Sequence, residues 1–190
     1  MRIGVVSDVH GNNAALEAAL AAFDGRVDEV WCAGDIVHEY RCHNETVLRL
    51  RDAGVTAILG NHDAVLLSPA GAAARARPGV DQEALDWLAT LEHRLERTID
   101  GRRVLMVHGS PWEPYGNYLS PGNPTWRQAP DLGVDVVIAG HTHEPMVERH
   151  GDTLVVNPGS LGEPRQRERA HTYAIVDVAA HDAVIEWVVP

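Results

Sequence analysis

Short apolar runs punctuate the chain, and five of them stop at residues able to bind a metal. Val5-Val6 leads into Asp8 and His10, Val30-Trp31-Cys32 into Asp35, and Ile58-Leu59 into Asn61 and His62. Leu105-Met106-Val107 leads into His108, and Val136-Val137-Ile138 into His141 and His143. In an open α/β sheet the ligand crevice lies beyond the carboxyl ends of the strands. The pattern therefore predicts that one edge of one sheet collects the whole set.

The same alternation predicts the elements. Residues 2–7 read as a buried strand, after which Asn13 can cap a helix whose Leu16, Ala19, Leu20 and Phe23 recur at helical spacing until Gly25. Residues 27–32 form the second strand, Asn44 opens a helix through Val47, Leu48 and Leu50 to Gly54, and residues 55–59 form the third strand. This β-α-β-α-β order implies a parallel sheet with right-handed crossovers. The alanine-rich stretch 70–76 reads as a loop or short helix, and 81–92 as a helix with Leu85, Leu88 and Leu91 on one face. Asp100-Gly101 is a hairpin turn between Thr98-Ile99 and residues 103–107. Short strands follow at 134–139, 146–148, 154–156, 173–178 and 183–188, and Trp31, Trp87 and Trp187 fall in apolar patterns expected in the core. Two sheets packed face to face and flanked by helices, an α/β/β/α sandwich, accommodate this order.

Composition narrows the setting. With 190 residues, 45% of them hydrophobic, and no evident linker, the chain is expected to form a single domain over 1–190. A net charge of −11 argues against stable nucleic-acid binding. Cys32 and Cys42 are the only cysteines, and no apolar window approaches the roughly 18 residues of a membrane span. The start lacks a signal peptide's charged and apolar regions. A reduced, cytoplasmic protein without membrane contact is the expectation.

Asp8, His10, Asp35, Asn61, His108, His141 and His143 are more donors than one ion needs. Two divalent ions about 3.5–4 Å apart and sharing a carboxylate use a set of this size. Nitrogen and oxygen donors without a thiolate favour Mn, Fe, Zn, Ni or Co. Gly60-Asn61-His62-Asp63 and Gly140-His141-Thr142-His143 are the most specific pieces, because each packs several polar groups behind a glycine at a strand end.

In the order Asp8-x-His10, Gly34-Asp35, Gly60-Asn61-His62-Asp63, His108-Gly109 and Gly140-His141-Thr142-His143, the chain resembles the small bacterial and archaeal calcineurin-like metallophosphoesterases. The resemblance runs from Asp8 to Gly162 and implies the same sandwich of two sheets between helices. It also implies a phosphoesterase carrying two divalent ions, manganese first among them, in which a metal-bridging hydroxide attacks phosphorus. Asp8, His10 and His143 would hold one ion and Asn61, His108 and His141 the other, with Asp35 bridging. By the same resemblance His62 is the catalytic group that stabilises the phosphoryl charge or protonates the leaving oxygen. Asp63 either orients His62 or caps the helix that follows.

One departure bears on the substrate. The protein-phosphatase branch continues as Gly-Asp-x-x-Asp-Arg, whose arginine grips a phosphomonoester dianion. This chain has His38 and Glu39 there. Glu39 repels a dianion and His38 can contact a phosphate or leaving group, so singly charged phosphodiesters are the expected substrates. Residues 111–130 are the expected substrate segment, with Trp112, Tyr115, Tyr118 and Trp126 available to stack on a nucleobase. Arg165 can meet a phosphate through its planar fork. The alternatives are a phosphomonoesterase, a dinucleoside polyphosphate hydrolase, and a non-catalytic scaffold of the same fold. A homo-oligomer is compatible with the sequence, but no residue requires one.

Overall fold

The computed structural model describes residues 1–112, 117–165 and 170–188. The first half of the chain alternates strand and helix: β1 (Arg2–Val6), α1 (Asn13–Phe23), β2 (Glu29–Cys32), α2 (Asn44–Asp52), β3 (Thr56–Ala57), α3 (Asn61–Leu67), α4 (Ala72–Arg75) and α5 (Gln82–Ala89). Strands dominate the rest, with β4 (Arg94–Ile99), β5 (Arg102–Val107), β6 (Val136–Ile138), β7 (Met146–His150), β8 (Thr153–Asn157), β9 (Thr172–Asp177) and β10 (Asp182–Trp187). They form two five-stranded sheets, ordered β10-β9-β1-β2-β3 and β4-β5-β6-β8-β7. β1, β2 and β3 are parallel, as are β5, β6 and β8, while β9, β10, β4 and β7 run antiparallel to their neighbours.

The apolar pattern explains the layers. Ile3, Val5 and Trp31 of the first sheet meet Met106, Ile138 and Val156 of the second in the central core, all essentially inaccessible to water. On the outer face of the first sheet, Val6 and Cys32 pack under Leu16 and Phe23 of α1, Val47 and Leu50 of α2 and Leu88 of α5. On the outer face of the second, Leu105, Val137 and Val155 lie under Leu119 and Trp126. Strands covered on both faces read as continuous apolar runs rather than alternating ones. β8 is the clearest case, with all five residues buried.

Several expectations need correction. The strand ends that lead into the predicted donors belong to both sheets: β1, β2 and β3 in one, β5 and β6 in the other. Asn12, not Asn13, caps α1, its side chain accepting the Ala15 N–H at 3.2 Å. The third strand shrinks to Thr56–Ala57, past whose end Ile58 donates its N–H to Cys32 O at 3.1 Å and forms an isolated bridge to Glu92. The segment 111–130 is less irregular than expected, because a 3₁₀ helix spans Pro124–Leu132. Trp187 is 60% exposed at the edge of the first sheet rather than in the core.

Candidate active site

Among the described residues seven non-glycine residues hold positive φ, and five of them are predicted donors: Asp8 (51°), His10 (46°), Asp35 (52°), His141 (68°) and His143 (61°). This conformation costs an L-residue about 1–2 kcal/mol, so it persists only where surrounding bonds enforce it. They do here. The N–H of Asp8 donates to Gly34 O and that of His10 to Asp35 O, both at 3.0 Å, while Gly140 N–H donates to His108 O at 2.7 Å. Ser160 ties the loop after β8 to the same place, its hydroxyl donating to Asp8 O at 2.8 Å. Asn157 holds the His-x-His loop by donating to Gly140 O at 2.8 Å and Thr142 Oγ1 at 3.0 Å.

The glycines before two motifs leave their side-chain space to neighbouring polar groups. A Cβ on Gly60 would lie 2.1 Å from Asp35 Oδ1, and one on Gly140 would lie 2.0 Å from Ser7 Oγ and 2.9 Å from Asp8 Oδ2. Close approach lets backbone hold one oxygen of each carboxylate: His62 N–H donates to Asp35 Oδ1 at 2.8 Å and His141 N–H to Asp8 Oδ2 at 3.0 Å. The other oxygens turn toward the imidazoles. Asp8 Oδ1 is 3.2 Å from His143 Nε2, and Asp35 Oδ2 is 3.2 Å from His108 Nε2 and 3.9 Å from His10 Nε2. Asn61 Oδ1 completes the cluster 3.0 Å from His108 Nε2.

These atoms fit two divalent ions. Asp8, His10 and His143 bring their ligand atoms within 4.8 Å of one another, and so do Asp35, His108 and His141, all six residues being buried. Asp35 reaches both groups. Carbonyls can only accept, so His108 Nδ1 donates to Ala33 O at 2.7 Å and His143 Nδ1 to Glu163 O at 2.6 Å. In the neutral ring that tautomer leaves each Nε2 lone pair facing other acceptors, an arrangement that a proton or a metal cation relieves. Asp8 Oδ1 and His141 Nε2 are buried without a hydrogen-bond partner, and His10 Nε2 stands 3.3 Å from His143 Nε2.

The charges of the cluster respond to one another. Burial opposes ionisation of Asp35, yet the neighbouring His108 outweighs it and holds the carboxyl well below the usual range. Burial likewise opposes charge on Asp8, but the close approach of the His143 imidazole and the charge of His108 leave it lowered. Against its own burial, His108 is raised to about 9 by Asp35 and then Asp8. His10 and His141 are pushed down to about 4, chiefly by burial. Without metal, the cluster thus keeps a proton on His108 where a divalent ion would supply positive charge.

His62 is half-buried beside the donors, with Nε2 3.9 Å from Asp35 Oδ2, and its Nδ1 accepts the Glu39 N–H at 3.3 Å. The buried Asp63 carboxylate caps α3 and holds the loop after β2: it accepts Gly60 N–H at 2.9 Å, Val37 N–H at 3.0 Å and Ile36 N–H at 3.2 Å. None of its hydrogen bonds reaches His62. His38 stacks on His10, ring centroids 4.8 Å apart, and Tyr118 lies on His141 at 4.0 Å. The Arg165 guanidinium is 5.7 Å from the Tyr118 ring centre. Trp112 tilts against the buried Trp126, 5.9 Å away, whose Nε1 donates to Leu119 O at 3.1 Å. Trp126 is thus a core residue, unavailable to a base. Tyr115 lies outside the described residues.

Sequence reasoning missed His43, whose ring lies 5.6 Å from that of His38 and fills the space where a Gly11 side chain would be. It also missed Glu163, 3.6 Å from His38 Nε2. No local pattern marks either residue.

The chain belongs to the calcineurin-like phosphoesterase superfamily, whose domain profile matches residues 1–181. It is 30% identical to a metallophosphoesterase from Sphaerobacter thermophilus and superposes on its crystal structure with a TM-score of 0.79, over 100% of this chain and 88% of that one. It is 26% identical over 190 residues to the phosphodiesterase YfcE of Escherichia coli, covering 93% of this chain and 88% of the relative. A stretch of 122 residues, 57% of this chain and 44% of the relative, is 35% identical to the symmetrical bis(5'-nucleosyl)-tetraphosphatase of Paracidovorax citrulli. No helix among the described residues is long and apolar enough to cross a membrane.

Proposed function

We propose that the chain is a metal-dependent phosphodiesterase, and the observation that carries this reading is the pair of buried donor groups joined by Asp35, with His62 at their edge. Divalent ions bound to such a pair neutralise phosphoryl oxygens and acidify water. Four imidazoles, two carboxylates and one amide without a thiolate support manganese, with Fe, Zn, Ni and Co as competing ions.

The protein's own part centres on His62. Because its Nδ1 accepts the Glu39 N–H, the neutral ring carries its proton on Nε2, the atom facing the donors. As the water oxygen bonds to phosphorus and the P–O bond to the leaving group breaks, that proton passes to the departing oxygen; the water's proton goes to solvent. His141 and His143 are held by the backbone and cannot follow the substrate, which favours a fixed in-line geometry. Glu39 and Glu163, 43% and 54% exposed, add negative charge at the mouth and support a monoanionic diester over a monoester dianion. Tyr118, 55% exposed, offers an aromatic face to an aryl or nucleoside arm, and Arg165 offers a cation beside it. A second reading, hydrolysis of dinucleoside polyphosphates, draws on the partial likeness to the tetraphosphatase.

Metal-stripped protein reloaded with Mn is expected to hydrolyse bis(p-nitrophenyl) phosphate faster than p-nitrophenyl phosphate. His62→Ala, with metal content unchanged, should lose about 10²-fold or more on an ester with an alkoxide leaving group. The loss should be smaller with nitrophenolate, which departs without a proton. Equal or faster turnover of the monoester would overturn the diesterase reading.

A further inference from the structure

Charge around the rim of the site is unevenly placed. Over His10 stand the two outward histidines, His38 and His62, whose rings are 5.8 Å apart. Each faces a carboxylate: Glu163 Oε1 lies 3.6 Å from His38 Nε2, and Glu39 Oε2 lies 3.8 Å from His62 Nδ1. Among the described residues neither carboxylate is paired with an arginine. Arg41, two positions from Glu39, lines a separate hollow of about 340 Å³ with His43 and Asn44, and Arg165, two positions from Glu163, lies with its guanidinium 5.7 Å from the Tyr118 ring centre rather than on that carboxylate. Over His141, by contrast, the rim carries Tyr118 with Arg165 above its ring. One carboxylate therefore stands beside each outward histidine, Glu39 at His62 and Glu163 at His38, while the Arg165 guanidinium and the exposed aromatic ring stack toward His141, the Arg165 backbone N–H donating to His143 O at 3.2 Å.

We propose that Glu39 and Glu163 select the departing arm of the diester, so that the enzyme expels uncharged or cationic alcohols and discriminates against anionic leaving groups. The inference rests on the diesterase reading and on His62 as proton donor. The leaving oxygen must lie at His62 Nε2 to receive its proton, so the leaving group occupies the side of the rim formed by His62 and His38, where Glu39 and Glu163 stand. A quaternary ammonium on that arm is attracted by both. A phosphate leaving group, as in cleavage of a polyphosphate chain, is repelled by both, which separates this enzyme from a dinucleoside polyphosphate hydrolase. Acting through largely solvated space, each carboxylate is worth roughly three- to eightfold in kcat/KM. The effect fades with added salt, because both groups are exposed.

sn-Glycero-3-phosphocholine tests the direction of cleavage directly, since either arm can leave. With the Mn-loaded enzyme, release of choline with glycerol phosphate is expected to exceed release of glycerol with phosphocholine. In the Glu39→Gln/Glu163→Gln double variant the ratio should fall by about tenfold or more. An equilibrium readout accompanies it: by calorimetry the His62→Ala protein should bind this ester more tightly than glycerophosphoglycerol, by a margin that closes in high salt. Equal release of the two alcohols, a ratio unmoved in the double variant, or faster cleavage of diadenosine tetraphosphate than of the choline ester would overturn the proposal. In those cases turnover of bis(p-nitrophenyl) phosphate would leave the diesterase reading standing. Failure of that aryl diester with every metal would instead overturn the diesterase reading, and the leaving-arm proposal with it.

Discussion

Asp63 decides between two roles that the motif alone leaves open, and the structure puts numbers on the choice. Its carboxylate is buried and accepts three backbone N–H groups, from Gly60, Val37 and Ile36, at 2.9, 3.0 and 3.2 Å. Burial and then the charge of Asp35 push the carboxyl up to about 6, the three bonds opposing, so the anion is the accepting form at neutral pH. Asp63→Ala leaves all three donors unmet. At about 1–3 kcal/mol per buried orphan, partly relieved by water entering the gap, the loss is roughly 3–6 kcal/mol. For a domain of this size that lowers Tm by about 6–24 °C. Asp63→Asn can keep an oxygen where Oδ2 accepts two of the bonds and loses the third, a loss of about 1–3 kcal/mol. Urea unfolding followed by tryptophan fluorescence measures both, and kcat is read on the folded asparagine variant. An orienting role predicts the opposite balance: a large drop in kcat with little change in stability. Asp63→Ala unfolding at the wild-type midpoint would refute the capping argument.

Two further predictions test the fold and its charges. Trp126→Ala should cost about 3–5 kcal/mol, because its fully buried ring anchors the layer over the second sheet, whereas Trp187→Ala should stay within about 0.5 kcal/mol; equal urea midpoints would contradict this assignment. Glu186 is held below its ordinary 4.5 by hydrogen bonds from Arg26 and then Tyr173, so the stability it contributes is present above that value and is lost as pH falls through its lower folded value. The Tm gap between wild type and Glu186→Gln should therefore be widest near neutrality and close in acid; a constant gap down to about pH 3 would show that this exposed pair contributes no linked stability.

The donors were legible because each sits where an apolar strand must end, and strand ends are local features. Gly34-Asp35 and Gly60-Asn61 show the limit of that reading. They announce a turn, but not that the Gly60 hydrogen marks contact with the Asp35 carboxylate, a packing fact linking two strands. That both sheets supply donors was likewise invisible, since apolar runs do not state which sheet they join. The same holds for substrate chemistry. Trp126 and Trp112 look alike in sequence, yet one is core and the other reaches the surface, because only the 3₁₀ turn at Pro124–Leu132 decides which ring points inward.

Charge shows this dependence most sharply. A net charge of −11 gives no hint of where the negative residues gather, and Glu163 stands 125 positions from its imidazole partner His38. The loop that carries Glu163 reaches the site through the Ser160 hydroxyl, which donates to Asp8 O and accepts Glu163 N–H at 2.7 Å. The Glu163 carbonyl meanwhile receives the Nδ1–H of His143, one of the predicted donors. One residue thus fixes the tautomer of that imidazole with its backbone and keeps its exposed carboxylate at the rim beside His38. Its backbone role survives any side chain, so Glu163→Gln changes the charge met by the leaving group without disturbing the donor it supports.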